Sequence, residues 1–216
     1  RYLVDGLALR ELVIGYDYAM GKGRKGNFDL LSLLGQQYGF GVERLDPVIV
    51  GGAVVSSTRI RDLVQSGNVW EARPLLGRFF EVRGRVVDGM KRGASLLGFP
   101  TANIAYSDVL LPKPGVYAVW AVLDGQALPA VANVGNNPTF GDTGLTLEVH
   151  IMDFSRNIYG QTLGVQFVQR LRSERKFETI DALKARIGED AQLGRIILAS
   201  SEAQVRPGPQ NQDEDG

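Results

Sequence analysis

Apolar positions change their spacing near residue 77. Before that point the pattern mixes helix and strand. An apolar run at 12–14 predicts a strand, and Asn27 stands where an N-cap would start a helix through FDLLSLLGQQYG, with Leu30, Leu31 and Leu34 on its buried face. Another short strand falls at 42–45 or 48–50. Ser56 and Ser57 then cap a helix that turns Ile60, Leu63 and Val64 inward and stops at Gly67, and a helical turn or two over 69–75 leads to Gly77. Beyond residue 79 strict alternation takes over, in segments 80–87, 116–123, 128–133, 145–152 and 162–171 separated by turn residues. Asp124-Gly125 between two of these segments is a hairpin turn. That rhythm predicts a small antiparallel barrel, which removes its own sheet edges by closing. Thr179 finally caps a helix over 180–200 whose Leu183, Ile187, Leu193 and Ile197 pack on the barrel, with Asp181 set against the N-terminal dipole.

The 216 residues suffice for two modest domains, each with a core. Lys and Arg total 24 and Asp and Glu total 24, so no global field points to nucleic acid or to a membrane surface, and any anion site must be local. The absence of cysteine excludes a disulfide framework, a thiolate metal site and a cysteine nucleophile, and agrees with a cytoplasmic protein. No apolar run reaches the roughly 18 residues of a spanning helix. Residues 206–216 are polar, acidic and rich in helix breakers, and read as a loose tail.

Chemistry concentrates in residues 84–103, GRVVDGMKRGASLLGFPTAN, where a strand runs into a basic glycine-rich loop and then a hydroxyl-amide pair. Gly89, Gly93 and Gly98 open backbone conformations closed to other residues, and Lys91 and Arg92 supply charge where backbone N–H groups can gather around phosphate oxygens. Taken alone, these features suit a charged glycine-rich hairpin equally well. Pro100 then fixes the backbone ahead of Thr101 and Asn103, which offer the hard oxygens that a phosphate-bound magnesium ion accepts.

Phosphoryl transfer to an alcohol also needs a base near the hydroxyl. Segment 145–152 puts Leu147, Val149 and Ile151 on one face and Thr146, Glu148 and His150 on the other. Glu148 is the better candidate base, although sequence alone does not choose between it and His150, and a strand-face glutamate paired with an arginine is the plain structural alternative. Two more clusters have double readings. Asn133, Asn136, Asn137, Pro138 and Thr139 shape a cleft or simply make turns; Arg172, Glu174 and Phe177 end a strand or flank a flat heterocycle.

The segments GRVVDGMKRGASLLGFPTANI, LLPKPGVYAVWAV, VANVGNNPTFG, TLEVHIMDF and IYG ahead of LRSERKF stand in a telling order. Over residues 77–200 the chain resembles the riboflavin kinase module of bacterial bifunctional riboflavin kinase/FMN adenylyltransferases, also called FAD synthetases. The resemblance implies an α+β chain: an incomplete α/β nucleotidyltransferase-like segment over 1–76, a six-stranded antiparallel Greek-key β-barrel with a C-terminal helix over 77–200, and a flexible tail over 201–216. It implies transfer of the ATP γ-phosphate to the 5′-hydroxyl of riboflavin, with Mg2+ as cofactor and FMN as product. Thr101 and Asn103 would contact Mg-ATP and the metal, Gly89, Lys91 and Gly93 would belong to a phosphate flap, and Glu148 would be the base. Arg172, Glu174 and Phe177 would lie on the flavin side. Ala94 stands where many relatives carry an arginine, which lowers the charge expected of the flap.

The first half resembles the end of the adenylyltransferase module of the same proteins. VIGYDYAMGKGRKGN is similar to its flavin-side strand and loop, and SSTRIR to its phosphate-binding helix start, so Ser56, Ser57, Thr58, Arg59 and Arg61 are its candidate phosphate ligands. An ordinary serine-capped surface helix is the alternative. The histidine-containing HxGH-type motif of that module is absent, since His150 is the only histidine. The chain is therefore expected to be an N-terminally incomplete member that makes FMN but not FAD, and to be prone to self-association through exposed apolar surface. Two other readings remain at this stage: a parent that is chiefly an FMN adenylyltransferase, and a flavin or nucleotide binding module without turnover.

Overall fold

The computed structural model describes residues 2–88, 99–136, 144–175 and 177–204. Gly89, Lys91, Gly93 and Ala94 of the glycine-rich loop, together with Asn137, Pro138 and Thr139, lie outside the described residues, as does the tail beyond residue 204. Packing divides the chain into two units, Arg1–Val55 and Ser56–Gly216.

In the first unit β1 (Glu11–Gly15) pairs in parallel with β2 (Gly41–Leu45), and α1 (Phe28–Tyr38) connects them. The helix starts as its sequence predicts: the Asn27 side chain accepts from the Leu30 N–H at 3.1 Å, and Gly39 closes it in the left-handed conformation. Its buried face is narrower than expected. Leu31 and Gly35 are buried while Leu30 is exposed, because Gly35 brings the helix against Phe40 and Val42 along a line that misses Leu30. A two-residue turn at Gly51 and Gly52 joins β3 (Ile49–Val50) to β4 (Ala53–Val54).

The second unit begins with α2 (Ser57–Ser66), capped by the Ser56 hydroxyl, which accepts from the Arg59 N–H at 3.2 Å and is followed at the far end by left-handed Gly67. The next helix, α3 (Val69–Leu76), packs on the strands that follow, and Val69 is fully buried in their core. The change of rhythm at Gly77 thus marks where helices give way to strands, whereas packing separates the chain earlier, after Val55.

Six strands close the barrel: β5 (Phe80–Val87), β6 (Ala102–Ala105), β7 (Gly115–Leu123), β8 (Gln126–Asn136), β9 (Leu145–Ile151) and β10 (Thr162–Arg172). All neighbours are antiparallel, in the order β10-β5-β6-β9-β8-β7, and β10 returns beside β7 to complete a Greek key with β8 and β9. The interior is filled by alternate residues such as Val82, Val119, Val134, Leu147, Val165 and Phe167. The four-residue β6 is the strand that periodicity missed, since Ala102 and Asn103 give it no alternating signature.

Gly84 is where β5 passes closest to its neighbour: a Cβ there would collide with the Ala105 carbonyl oxygen and the Ile104 side chain. The backbone must shift to accept it, so Gly84→Ala is expected to lower stability by about 1–3 kcal/mol, measured by urea unfolding.

The last helix, α4 (Ile180–Leu198), is capped by Thr179, whose hydroxyl accepts from the Ala182 N–H at 3.2 Å, and lies on the outside of β7, β8 and β10. Its seam differs from the expected one. Leu193 is exposed, and Gly194 takes its place against Val131 and Met152, where a bulkier residue would hold the helix off the wall. Leu198 then packs with Phe79, Ala118 and Val168.

Candidate active site

Five successive register pairs carry one row of side chains around the barrel: Arg172↔Val116, Val116↔Asn133, Asn133↔Glu148, Glu148↔Asn103 and Asn103↔Val87. Directly opposed residues of an antiparallel pair point to the same face. The neighbours of this row, among them Leu147, Val149, Ala132, Val134 and Ile104, fill the interior, so the row lies on the outer wall. Arg172, Glu148 and Asn103, far apart in sequence, thereby come onto one line, and Asn133 joins them.

Between this wall and α4 lies a cavity of about 650 Å³. Phe99, Thr101, Asn133, Glu148, His150, Arg172, Glu174 and Phe177 line it, and Val116, Val131, Leu183 and Ile187 give it an apolar floor and lid. Apolar surface interrupted by charged and polar side chains is the character of a small-molecule site.

Arg172 is held rigidly. Its Nε and Nη2 both donate to Asp190 Oδ2, at 2.9 and 2.7 Å, and its Nη1 donates to the Ser173 carbonyl at 3.0 Å. Asp190 is the one charged residue among the described residues that is almost fully buried, at 2 % exposure, and Arg186 Nε approaches its other oxygen at 3.2 Å. This pair ties α4 to β10 at the edge of the cavity. The Phe177 ring lies beneath two guanidinium groups, 5.8 Å from that of Arg172 and 4.7 Å from that of Arg175.

Burial pushes the Glu148 pKa above its ordinary value, and the negative charge of Glu174 raises it further. Glu174 is itself held over β8, where the Asn133 amide donates to its Oε1 at 3.3 Å. Glu148 is therefore a partly buried carboxylate whose surroundings disfavour its charged form.

A second cavity, of about 290 Å³, opens on the other side of Thr101. It is lined by Pro100, Thr101, Val86, Phe154, Arg156 and Tyr159 among others, and Thr101 borders both spaces. The chemistry of the donors fits magnesium carried on a phosphate. Among the described residues no three His, Cys, Asp or Glu gather into a metal site of their own, while Thr101 and Asn103 offer neutral oxygens of the kind that supplements phosphate and water ligands.

The structure thus gathers Thr101, Glu148, Arg172, Glu174 and Phe177 around one cavity, with Asn103 beside Glu148 in the sheet. Phe99 and Asp190 escaped the sequence reading, while His150 was weighed there only as an alternative base. A buried aspartate opposite a strand-end arginine leaves no local spacing, though the IYG motif did point toward Tyr159. Ser56, Ser57, Thr58, Arg59 and Arg61 stand at the start of α2, where the Ser56 hydroxyl is occupied by capping and the other four residues are exposed.

The family model described as riboflavin kinase matches residues 76–198, the whole barrel and its helix. The chain belongs to the riboflavin kinase family. A second family model, described as FAD synthetase, matches residues 1–59. Curated relatives described as bifunctional riboflavin kinase/FMN adenylyltransferase include one from Pseudomonas fluorescens, 42% identical over 93% of this chain and 65% of its own, and one from Listeria monocytogenes, 39% identical over 93% of this chain and 64% of its own. This riboflavin kinase family member thus spans a little under two thirds of the length of those relatives. A crystal structure of a Streptococcus pneumoniae protein described as a macrolide-efflux protein superposes with a TM-score of 0.71 at 35% identity, over 85% of this chain and 60% of that one. In the present riboflavin kinase fold no described helix is long and apolar enough to cross a membrane.

Proposed function

We propose that this chain transfers the γ-phosphoryl group of ATP to the 5′-hydroxyl of riboflavin, releasing FMN and ADP. The observation that carries the reading is the row Arg172, Asn133 and Glu148 along the larger cavity, with Asn103 beside Glu148 in the sheet and Thr101 at the wall shared with a second, smaller cavity. Riboflavin takes the larger cavity, its ring between the apolar floor and the Phe177 side and its ribityl chain running toward Glu148. ATP takes the smaller one, with its phosphates passing Thr101 toward Glu148 and its sheet neighbour Asn103. Thr101 and Asn103 would hold Mg2+ on the phosphates, where it would supply charge neutralisation for the transferring group. Gly89, Lys91 and Gly93 are further phosphate ligands in this reading.

Glu148 accepts the hydroxyl proton as the ribityl oxygen bonds to the γ-phosphorus and the bond to the β-phosphate oxygen breaks. Thr101 and Asn103 hold the donor in line, and the Arg172–Asp190 pair fixes the far wall against which the acceptor is aligned. The longer relatives and the match over residues 1–59 support a parent protein that also adenylylates FMN to FAD, with Ser56, Ser57, Thr58, Arg59 and Arg61 as phosphate ligands in that second reaction. A cysteine-free enzyme using Mg-ATP and small molecules suits the cytoplasm, and exposed Val13, Leu33 and Ile49 in the first unit favour self-association of the isolated chain.

5′-Deoxyriboflavin tests the assignment of the acceptor. It should compete with riboflavin for binding and give no phosphorylated product; a phosphorylated product would place transfer at another hydroxyl.

The pH dependence follows from the direction of the Glu148 shift. A base must be ionised to act, so the acidic limb of kcat is expected above the ordinary glutamate value. Glu174→Gln removes the negative neighbour, lowers the Glu148 pKa and should move that limb to lower pH. A kcat profile unchanged by Glu174→Gln would separate Glu174 from the base.

A further inference from the structure

We propose that His150 is a positioning residue that fixes the segment 99–101, and with it Thr101, the side chain at the boundary of both cavities. The pairing of β6 with β9 ends at Ala102↔Val149. Continued by one position, that register would set Thr101 against His150, but the backbone ladder stops there. The His150 ring replaces it: Nδ1 lies 2.9 Å from the Pro100 carbonyl oxygen. The ring also meets Phe99 edge-on, with centroids 5.3 Å apart and planes at 82°. Two of the three residues leading into β6 are therefore held by one side chain that stands two positions from Glu148 on the same strand face.

A carbonyl oxygen only accepts, so this contact requires a proton on Nδ1. Because Thr101 borders both cavities, a loose 99–101 segment would misalign donor and acceptor while leaving the apolar floor and the Phe177 side of the larger cavity intact. The loss should appear in turnover more than in riboflavin binding.

Asparagine places its amide nitrogen the same number of bonds from Cα as histidine places Nδ1, and so can donate to Pro100; leucine cannot. His150→Leu is expected to lower kcat on the order of ten- to hundredfold, with a smaller loss of riboflavin affinity, read by flavin fluorescence, because the ring is one of many side chains lining the larger cavity. His150→Asn should recover most of kcat. Wild-type turnover in His150→Leu, or an Asn variant as impaired as the Leu variant, would overturn the assignment.

This kinetic arm rests on the phosphotransfer reading; a second arm does not. His150 is the only histidine, so the imidazole nitrogen resonances of the untagged wild-type chain belong to it alone. In alkaline solution, where the ring is neutral, the Nδ1–H tautomer is expected. The Nε2–H tautomer would refute the tether, whether or not FMN is made. A wild-type chain that makes no FMN would sink the phosphotransfer reading and leave the tautomer test standing.

Discussion

Replacing Glu148 by glutamine is expected to lower kcat about 10²- to 10⁴-fold, the usual contribution of a positioned base, with the KM values for riboflavin and ATP changed far less. The amide keeps the size and polarity of the side chain but cannot take the hydroxyl proton. The same substitution should raise the melting temperature. Folding raises the Glu148 pKa, so the folded chain holds this proton more tightly than the unfolded one. The resulting penalty is present in full above the raised folded value, and it fades as pH falls through that value toward the ordinary one. Glutamine carries no such penalty at neutral pH. A variant that is at once more stable and nearly inactive would mark Glu148 as a group kept at a cost to stability, whereas lost activity with lost stability would assign it a structural role.

The largest effect on stability is expected at Asp190. Asp190→Ala leaves the guanidinium group of Arg172, 16% exposed, without its carboxylate and removes the tie between α4 and β10. Breaking such a buried pair from one side costs about 3–5 kcal/mol, which for a unit of this size is a fall of roughly 10 °C in the melting temperature. Riboflavin affinity should fall as well, because both partners line the cavity. Replacing both residues by leucine should recover part of the lost stability without recovering activity. Calorimetry on the single and double variants reads the coupling; additive losses would show that the two side chains act independently.

The barrel was legible because its long strands alternate cleanly and Asp124-Gly125 fixes one hairpin, and α4 because Thr179 and Asp181 announce its start. The short strand β6 was not, since two of its four residues are alanine and its place comes from pairing with β5 and β9 rather than from its own pattern. The site divides in the same way. Glu148, Thr101, Asn103 and Arg172 could be proposed from the sequence because they sit in compact motifs. Asp190 and the tethering role of His150 depend on contacts between residues 18 and 50 positions apart. Leu193 was misjudged because a 3.6-residue period does not reveal that Gly194 allows the helix to rotate and pack closer.

The central claim is tested most directly by separating riboflavin, FMN and FAD chromatographically after the purified chain is incubated with riboflavin, ATP and magnesium. FMN that accumulates with time and with enzyme concentration is the expected result. A folded chain that binds riboflavin and ATP yet forms no FMN would contradict the account and identify the cavity as a binding site without turnover.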